Sequence, residues 1–341
     1  MRDDDLRILD HISLRDLEIA LDLHTRELAK VTEYTAFSWS VSRHHMFERC
    51  KRQYYLNYYG ARRVREARER VVSAIWWLKQ ATLLSAWIGQ VIHHLAAVAV
   101  RAHRDRQPID EERLIDQTLE YYHAGIYASQ RGTKHEGEWR VLFEHVYPND
   151  PFSIDRNAAE VRVSDLAHTF FESEAWDLIR SLPPQAVQEV DVSFQSFVLT
   201  DVPRLGEVRA FAVPDVLLLH DDKVTIIDWK TGDVTGQALR EQAGIYRLYA
   251  QQVYGVPEEA VEVMLSNLDN YGENVEPPGG VPSTEESRAF ALNSIQDMVA
   301  LMESVLYNTV SIKNFPRTEN LALCRWCNFK RACWRHEETY G

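Results

Sequence analysis

In the first thirty residues the apolar positions recur at helical spacing. Within SLRDLEIALDLHTRELAKV, Leu14, Leu17, Leu21 and Leu28 form one stripe. The next segment, SWSVSRHHMFERCKRQYYLNYYG, opens on serines suited to cap a helix and continues as an aromatic-rich helix. Residues 71 to 106 are a long apolar helical stretch, long enough for more than one helix. RDRQPIDEE ends it, and another helix follows to about residue 130. RGTKHEGE and YPNDPFSID read as loops, and a helix from about Ser164 to Leu182 stops at Pro183-Pro184.

After the double proline the period changes from helical to alternating. VQEVDVSFQSFVL, FAVPDVLLLH and KVTIIDWK read as three strands, the last two joined by a turn at Asp221-Asp222. A helix over about Gly236 to Val253 and a fourth strand, VEVMLSN, come next. After the loop YGENVEPPGGVPS, the segment SRAFALNSIQDMVALMESVLY is an amphipathic helix with Phe290, Ile295, Met298, Met302 and Val305 on one face. The pattern predicts an α/β (α+β) chain: a helical N-terminal half, a mixed sheet in an α-β-β-β-α-β order, and a cysteine-bearing tail. The expected divisions are 1–36 as a helical extension, 37–183 as a helical region, 184–310 as the sheet-bearing core and 311–341 as the tail, with 37–341 forming one integrated domain.

Composition narrows the class. The chain has 341 residues, 45% of them hydrophobic and 26% charged, which excludes disordered, collagen-like and disulfide-scaffold chains. No apolar run reaches the length of a membrane span, and the acidic MRDDDLRILD start is unlike a signal peptide, so a cytoplasmic protein is expected. A net charge of −13 argues against a histone-like coat on nucleic acid, but the charge is uneven. Arg43 to Arg70 holds nine Lys/Arg against three Glu, and Cys324 to His336 holds four and no acid. These segments include Arg43, Arg49, Arg52, Arg325 and Arg331, which read as candidate phosphate contacts or as a solvated helix surface.

Both basic segments contain cysteine. The C-terminal three read C-x2-C-x5-C (Cys324, Cys327, Cys333), a spacing that suggests metal ligation in a reducing compartment. Zinc or an iron–sulfur cluster usually takes four thiolates, and Cys50 is the only other cysteine. His336 is the nearest substitute should Cys50 be a core thiol. Asp215, Asp228 and Lys230 stand out in the strands. Alternation puts Asp228 and Lys230 on one face and Trp229 on the other. Two carboxylates on adjacent strands can hold a hard divalent cation, and a nearby lysine can orient a water or offset phosphate charge. An ordinary strand-end ion pair fits the same spacing.

P214-D215 with I227-D228-W229-K230-T231-G232 resembles the signature of the PD-(D/E)XK nucleases in their RecB-like branch. Q242-A-G-I-Y246 is similar to that branch's Q-x-x-x-Y helix motif, and G89-Q-V-I-H93 to its G-x-x-x-H motif. Cys50 followed far downstream by C-x2-C-x5-C is similar to the [4Fe–4S] staple of AddB-type nucleases and CRISPR-associated RecB-like exonucleases. Ala212 stands where the family often has glycine, and 61–183 is longer than in minimal relatives. The resemblance implies a restriction-endonuclease-like core. It implies magnesium or manganese on Asp215, Asp228, the Trp229 carbonyl and His93, with Lys230 activating water and Gln242 and Tyr246 lining the site. Cys50, Cys324, Cys327 and Cys333 would ligate the cluster, with zinc as the alternative. The implied substrate is DNA, single-stranded or with free ends, and the implied pathways are repair, CRISPR function or antiphage defence. The chain has no P-loop motif, so a helicase partner in trans is expected. A non-catalytic DNA-binding or assembly subunit of a helicase–nuclease complex is the competing class. Glu189 is a further candidate acid near the metal, whereas His44, His45 and Trp76-Trp77 read as structural, and His93 is preferred over His94 by its spacing from Gly89.

Overall fold

A computed structural model describes residues 3–28, 36–62, 70–148, 155–232 and 236–333. His336 and Trp334 lie outside the described residues.

The signature segment forms the strand Lys223–Lys230, and its composition explains why. Val224, Ile226 and Ile227 are β-branched, stiff at χ1 and fully buried. The strand lies in the middle of a five-stranded sheet whose order is Glu273–Asn274, Val261–Asn267, Lys223–Lys230, Val216–His220, Val187–Val190. It runs parallel to Val261–Asn267 and antiparallel to Val216–His220. The parallel pair needs a crossover, supplied by the helix Gln237–Tyr254. The mixed α/β architecture agrees with the sequence pattern and is consistent with the restriction-endonuclease-like core that the resemblance implies.

Both faces of the sheet are covered, so the signature strand reads as a near-continuous apolar run. Val224 and Ile226 join a core with Ala243, Tyr246 and Tyr249 of the crossover helix. Ile227 and Trp229 join a second core with Ile88, Val91, Ile92 and Leu95 of the helix Leu84–Arg104. Burying each large aliphatic side chain contributes roughly 1.5–3 kcal/mol. Trp229 lies edge-to-face on Phe170, with ring centroids 5.2 Å apart.

Several element boundaries depart from the alternation read in the sequence. VQEVDVSFQSFVL is two strands, Val187–Val190 in the central sheet and Ser196–Val202 in another. The break falls between Asp191 and Phe194, both in the left-handed region (φ 46° and 68°), which turns the chain out of the first sheet. Ser196–Val202 instead forms a hairpin with Gly206–Phe211, and Ser38–Ser40 adds a parallel third strand. The helix read over Ser164 to Leu182 is two helices, Arg156–Glu172 and Glu174–Ser181, divided at buried Ser173, whose hydroxyl caps the second. The helix read to Tyr307 ends at Ala300. The loop RGTKHEGE carries a small hairpin, Lys134–His135 with Glu138–Trp139.

The two ends of the chain meet. The first core contains both Leu6 and Cys333. The Arg331 guanidinium pairs with the Asp10 carboxylate, and Arg52 spans the junction, its Nε donating to the Phe315 carbonyl at 2.8 Å and its Nη1 to Glu18 at 2.7 Å.

Candidate active site

At one end of the sheet, Asp228 and Lys230 finish the signature strand, and Asp215 lies just before the neighbouring strand. Asp228 is only 3% exposed, so its charge needs partners. They form a closed ring of four side chains. Lys230 Nζ donates to Gln242 Oε1 at 2.6 Å, and Gln242 Nε2 donates to the Tyr246 hydroxyl at 2.9 Å. Tyr246 donates to Asp228 Oδ1 at 2.5 Å, and Asp228 Oδ2 pairs with Lys230 Nζ. The Q-x-x-x-Y spacing is thus explained: four residues apart on a helix puts both polar groups on the face that meets the strand end. Burial and the neighbouring carboxylates of Asp228 and Asp215 push the Tyr246 hydroxyl well above its usual range, so it stays a donor.

Asp215 is held separately. Its Oδ2 accepts the Trp229 backbone N–H at 2.7 Å, and its Oδ1 lies 2.7 Å from His93 Nδ1. Burial raises the Asp215 pKa and the Asp228 charge adds to this, while His93 and the Trp229 N–H pull it back. Burial works against His93 carrying charge, but the Asp215 carboxylate, its hydrogen bond and Asp228 raise the imidazole to about 9.

Gly89 explains how His93 gets there. A Cβ at position 89 would lie 2.8 Å from Thr231 Oγ1, so only glycine lets the helix Leu84–Arg104 approach the D-W-K-T-G turn this closely. One turn further along the same helix face is His93. His94 points elsewhere and stacks on Tyr121, with centroids 4.0 Å apart and planes within 3°.

The donor set suits a hard cation. Two carboxylates, Asp228 buried and Asp215 half-buried, sit at the ends of neighbouring strands, and Asp228 Oδ2 takes no hydrogen bond among the described residues, only the Lys230 ion pair. The ligand atoms of His93, Asp215 and Asp228 do not all lie within 4.8 Å of one another, although His93 and Asp215 bond each other. Glu189 is not joined to this ring by a hydrogen bond. Its Oε1 accepts from Tyr249 at 2.7 Å and Tyr254 at 2.5 Å, further along the crossover helix. That tyrosine pair carried no sequence signal apart from its helical register.

The four cysteines line one pocket together with Arg52, Gln53, Arg317, Thr318 and Lys330. None forms a disulfide. Burial pushes the Cys327 thiol up to about 12, with Cys50 and Cys324 adding to the shift, and raises Cys333 also. Of the basic residues singled out beside them, Arg52 is buried and committed to Phe315 and Glu18, and Arg331 to Asp10. Arg43 donates to the Ser38 carbonyl at 2.6 Å, Arg49 to Gln53 at 3.0 Å, and Arg325 is exposed.

A sheet end carrying two acids and a lysine on adjacent strands, covered by a crossover helix, is the arrangement of a nuclease core. The chain belongs to the PD-(D/E)XK nuclease superfamily, whose family model matches residues 38–334. Members are typically divalent-metal-dependent nucleases. No curated protein matches the sequence. Among the described residues no helix is long and apolar enough to cross a membrane.

Proposed function

We propose that this chain is a divalent-metal-dependent deoxyribonuclease of the RecB-like branch, an exonuclease acting on single-stranded or end-bearing DNA. The observation that carries the reading is the closed ring of Lys230, Gln242, Tyr246 and Asp228 beside Asp215. Asp215, Asp228, the Trp229 carbonyl and His93 would hold magnesium or manganese. An ion there would supply Lewis-acid polarisation of the scissile phosphate and a water of lowered pKa. Lys230, steered by Gln242, would orient the attacking water and offset charge developing on the phosphate. Tyr246 holds the Asp228 carboxylate in place by donating to Oδ1. An imidazole ligand shifts preference toward manganese over magnesium.

The four cysteines would carry a [4Fe–4S] cluster that staples the N-terminal helices to the tail. The pocket they share with Arg52, Arg317 and Lys330 supports this, since cations offset the charge of four thiolates. The family supports DNA as substrate; a helicase acting in trans would supply the unwinding that a chain without a P-loop motif lacks.

The test is digestion of end-labelled single- and double-stranded DNA with manganese or magnesium. Laddering from the labelled end that vanishes in Asp228→Ala supports the reading; full activity in that variant overturns it. Iron content and absorbance near ~400 nm separate a cluster from zinc.

A further inference from the structure

Away from the carboxylate site, three donors converge on one point. His44, His45 and Glu241 each bring one ligand atom to within 4.8 Å of the others, the only such group found among the described residues. They come from two helices, Val41–Arg49 and Gln237–Tyr254, which pack against each other and both against Thr284–Ala300.

Each donor is held from behind. His44 Nδ1 lies 2.8 Å from Ser294 Oγ, and that oxygen also accepts the Trp39 indole N–H at 2.8 Å. Anchoring Nδ1 leaves Nε2 as the ligand atom of His44. Glu241 Oε1 accepts from Gln237 Nε2 at 3.0 Å, while Oε2 lies 2.8 Å from His45 Nε2. Partners of this kind, orienting the ligands from outside, are what metal sites use to fix ring and carboxylate geometry. An ion pair between helices requires only His45 and Glu241; it does not account for a second imidazole at the same point.

We propose that His44, His45 and Glu241 form a second metal site, separate from Asp215 and Asp228, that takes a divalent ion of the zinc class. Two imidazole nitrogens and one carboxylate oxygen suit zinc, cobalt or nickel and suit magnesium poorly. The carboxylates of Glu48 and Asp297 also act on His44 and add attraction for a cation. The Glu241 side chain is 12% exposed and that of His45 37%, so the donors are shielded on one side and open to entry on the other. Binding replaces the proton between His45 Nε2 and Glu241, which passes to solvent or to His45 Nδ1. Donors this close need side-chain torsion, not movement of a helix.

The site has a structural consequence. The helix bearing His44 and His45 runs directly into Cys50, and Glu241 adjoins Gln242. An ion there would tie the segment delivering Cys50 to the helix delivering Gln242 and Tyr246.

The test is equilibrium dialysis of the intact protein against zinc, followed by metal analysis per chain. Wild type should hold one zinc equivalent more than either His45→Ala or Glu241→Gln. Zinc bound at the cysteines or at Asp215 and Asp228 is counted equally in all three, and in an Asp228→Ala background Glu241→Gln should still cost one equivalent. Zinc should raise the melting midpoint of wild type by several degrees more than that of Glu241→Gln. That variant retains a group able to hydrogen-bond His45, so it answers the question should His45→Ala fail to fold. Equal zinc content in wild type and Glu241→Gln overturns the site, as does equal zinc content in Asp228→Ala and the Asp228→Ala/Glu241→Gln double variant.

Discussion

Asp228 has one oxygen on Tyr246 and the other against Lys230, so each member of the ring orients the next. Asp228→Asn and Lys230→Ala should each lower DNA cleavage about 100-fold or more, since each removes metal binding or water activation. The comparison is single-turnover cleavage at matched melting temperature, because a drop explained by unfolding would not count. Tyr246→Phe deletes one hydroxyl that both holds Asp228 and accepts from Gln242. It should cost about 1–3 kcal/mol of stability or transition-state binding, read from thermal melts and kcat together. The adjacent histidines should differ sharply. His93 touches Asp215, whereas His94 is half-buried against Tyr121. His93→Ala should therefore lose most activity and recover some with added manganese, and His94→Ala should be much milder; the reverse ranking would remove His93 from the site.

At the scale of elements, two glycines set how closely helices approach. Gly89 lets Leu84–Arg104 meet Thr231, and Gly125 accepts the Trp87 indole, where a Cβ would lie 2.1 Å from a ring carbon. Trp87 is buried and cannot swing away. Gly125→Ala should destabilise by about 1–3 kcal/mol through overpacking, seen as a lower melting midpoint with cleavage little changed below it. Gly89→Ala should do the opposite, lowering cleavage more than stability, because it moves His93 relative to Asp215. Thr231→Ala, which removes the colliding oxygen, should restore part of that loss in the double variant. The hairpin Ser196–Val202 with Gly206–Phe211 belongs to this scale also. Its alternation runs on from Val187–Val190 without a visible interruption, so only the left-handed turn at Asp191 to Phe194 separates the two sheets.

For the whole molecule, the decisive feature is that the N-terminal helices and the tail pack in one core with Cys50 beside Cys324, Cys327 and Cys333. If the four thiolates share a cluster, Cys50→Ala should bleach the protein as fully as Cys327→Ala. Both should lower the melting temperature and expose protease sites near both termini, since opening so long a loop releases several kcal/mol of chain entropy. Wild-type iron content in Cys50→Ala would leave Cys50 a core thiol.

The composition of the site was legible in the chain because the residues that meet there sit on short local patterns. Alternation put Asp228 and Lys230 on one face, and helical spacing did the same for Gln242 with Tyr246 and Gly89 with His93. The apolar period also separated the helical half from the sheet. What the chain could not display was which distant segments touch. The pairing of Ser38–Ser40 with Arg209–Phe211 has no local signature. Neither do the Glu189 contacts to Tyr249 and Tyr254, nor the meeting of His44 and His45 with Glu241. Arg52 shows the difference most plainly. In sequence it is one cation in a basic run, and only the packing of the chain ends buries it between Phe315 and Glu18. Local periodicity follows from backbone geometry acting over a few residues, whereas burial and partner choice follow from the long-range packing that closes the core.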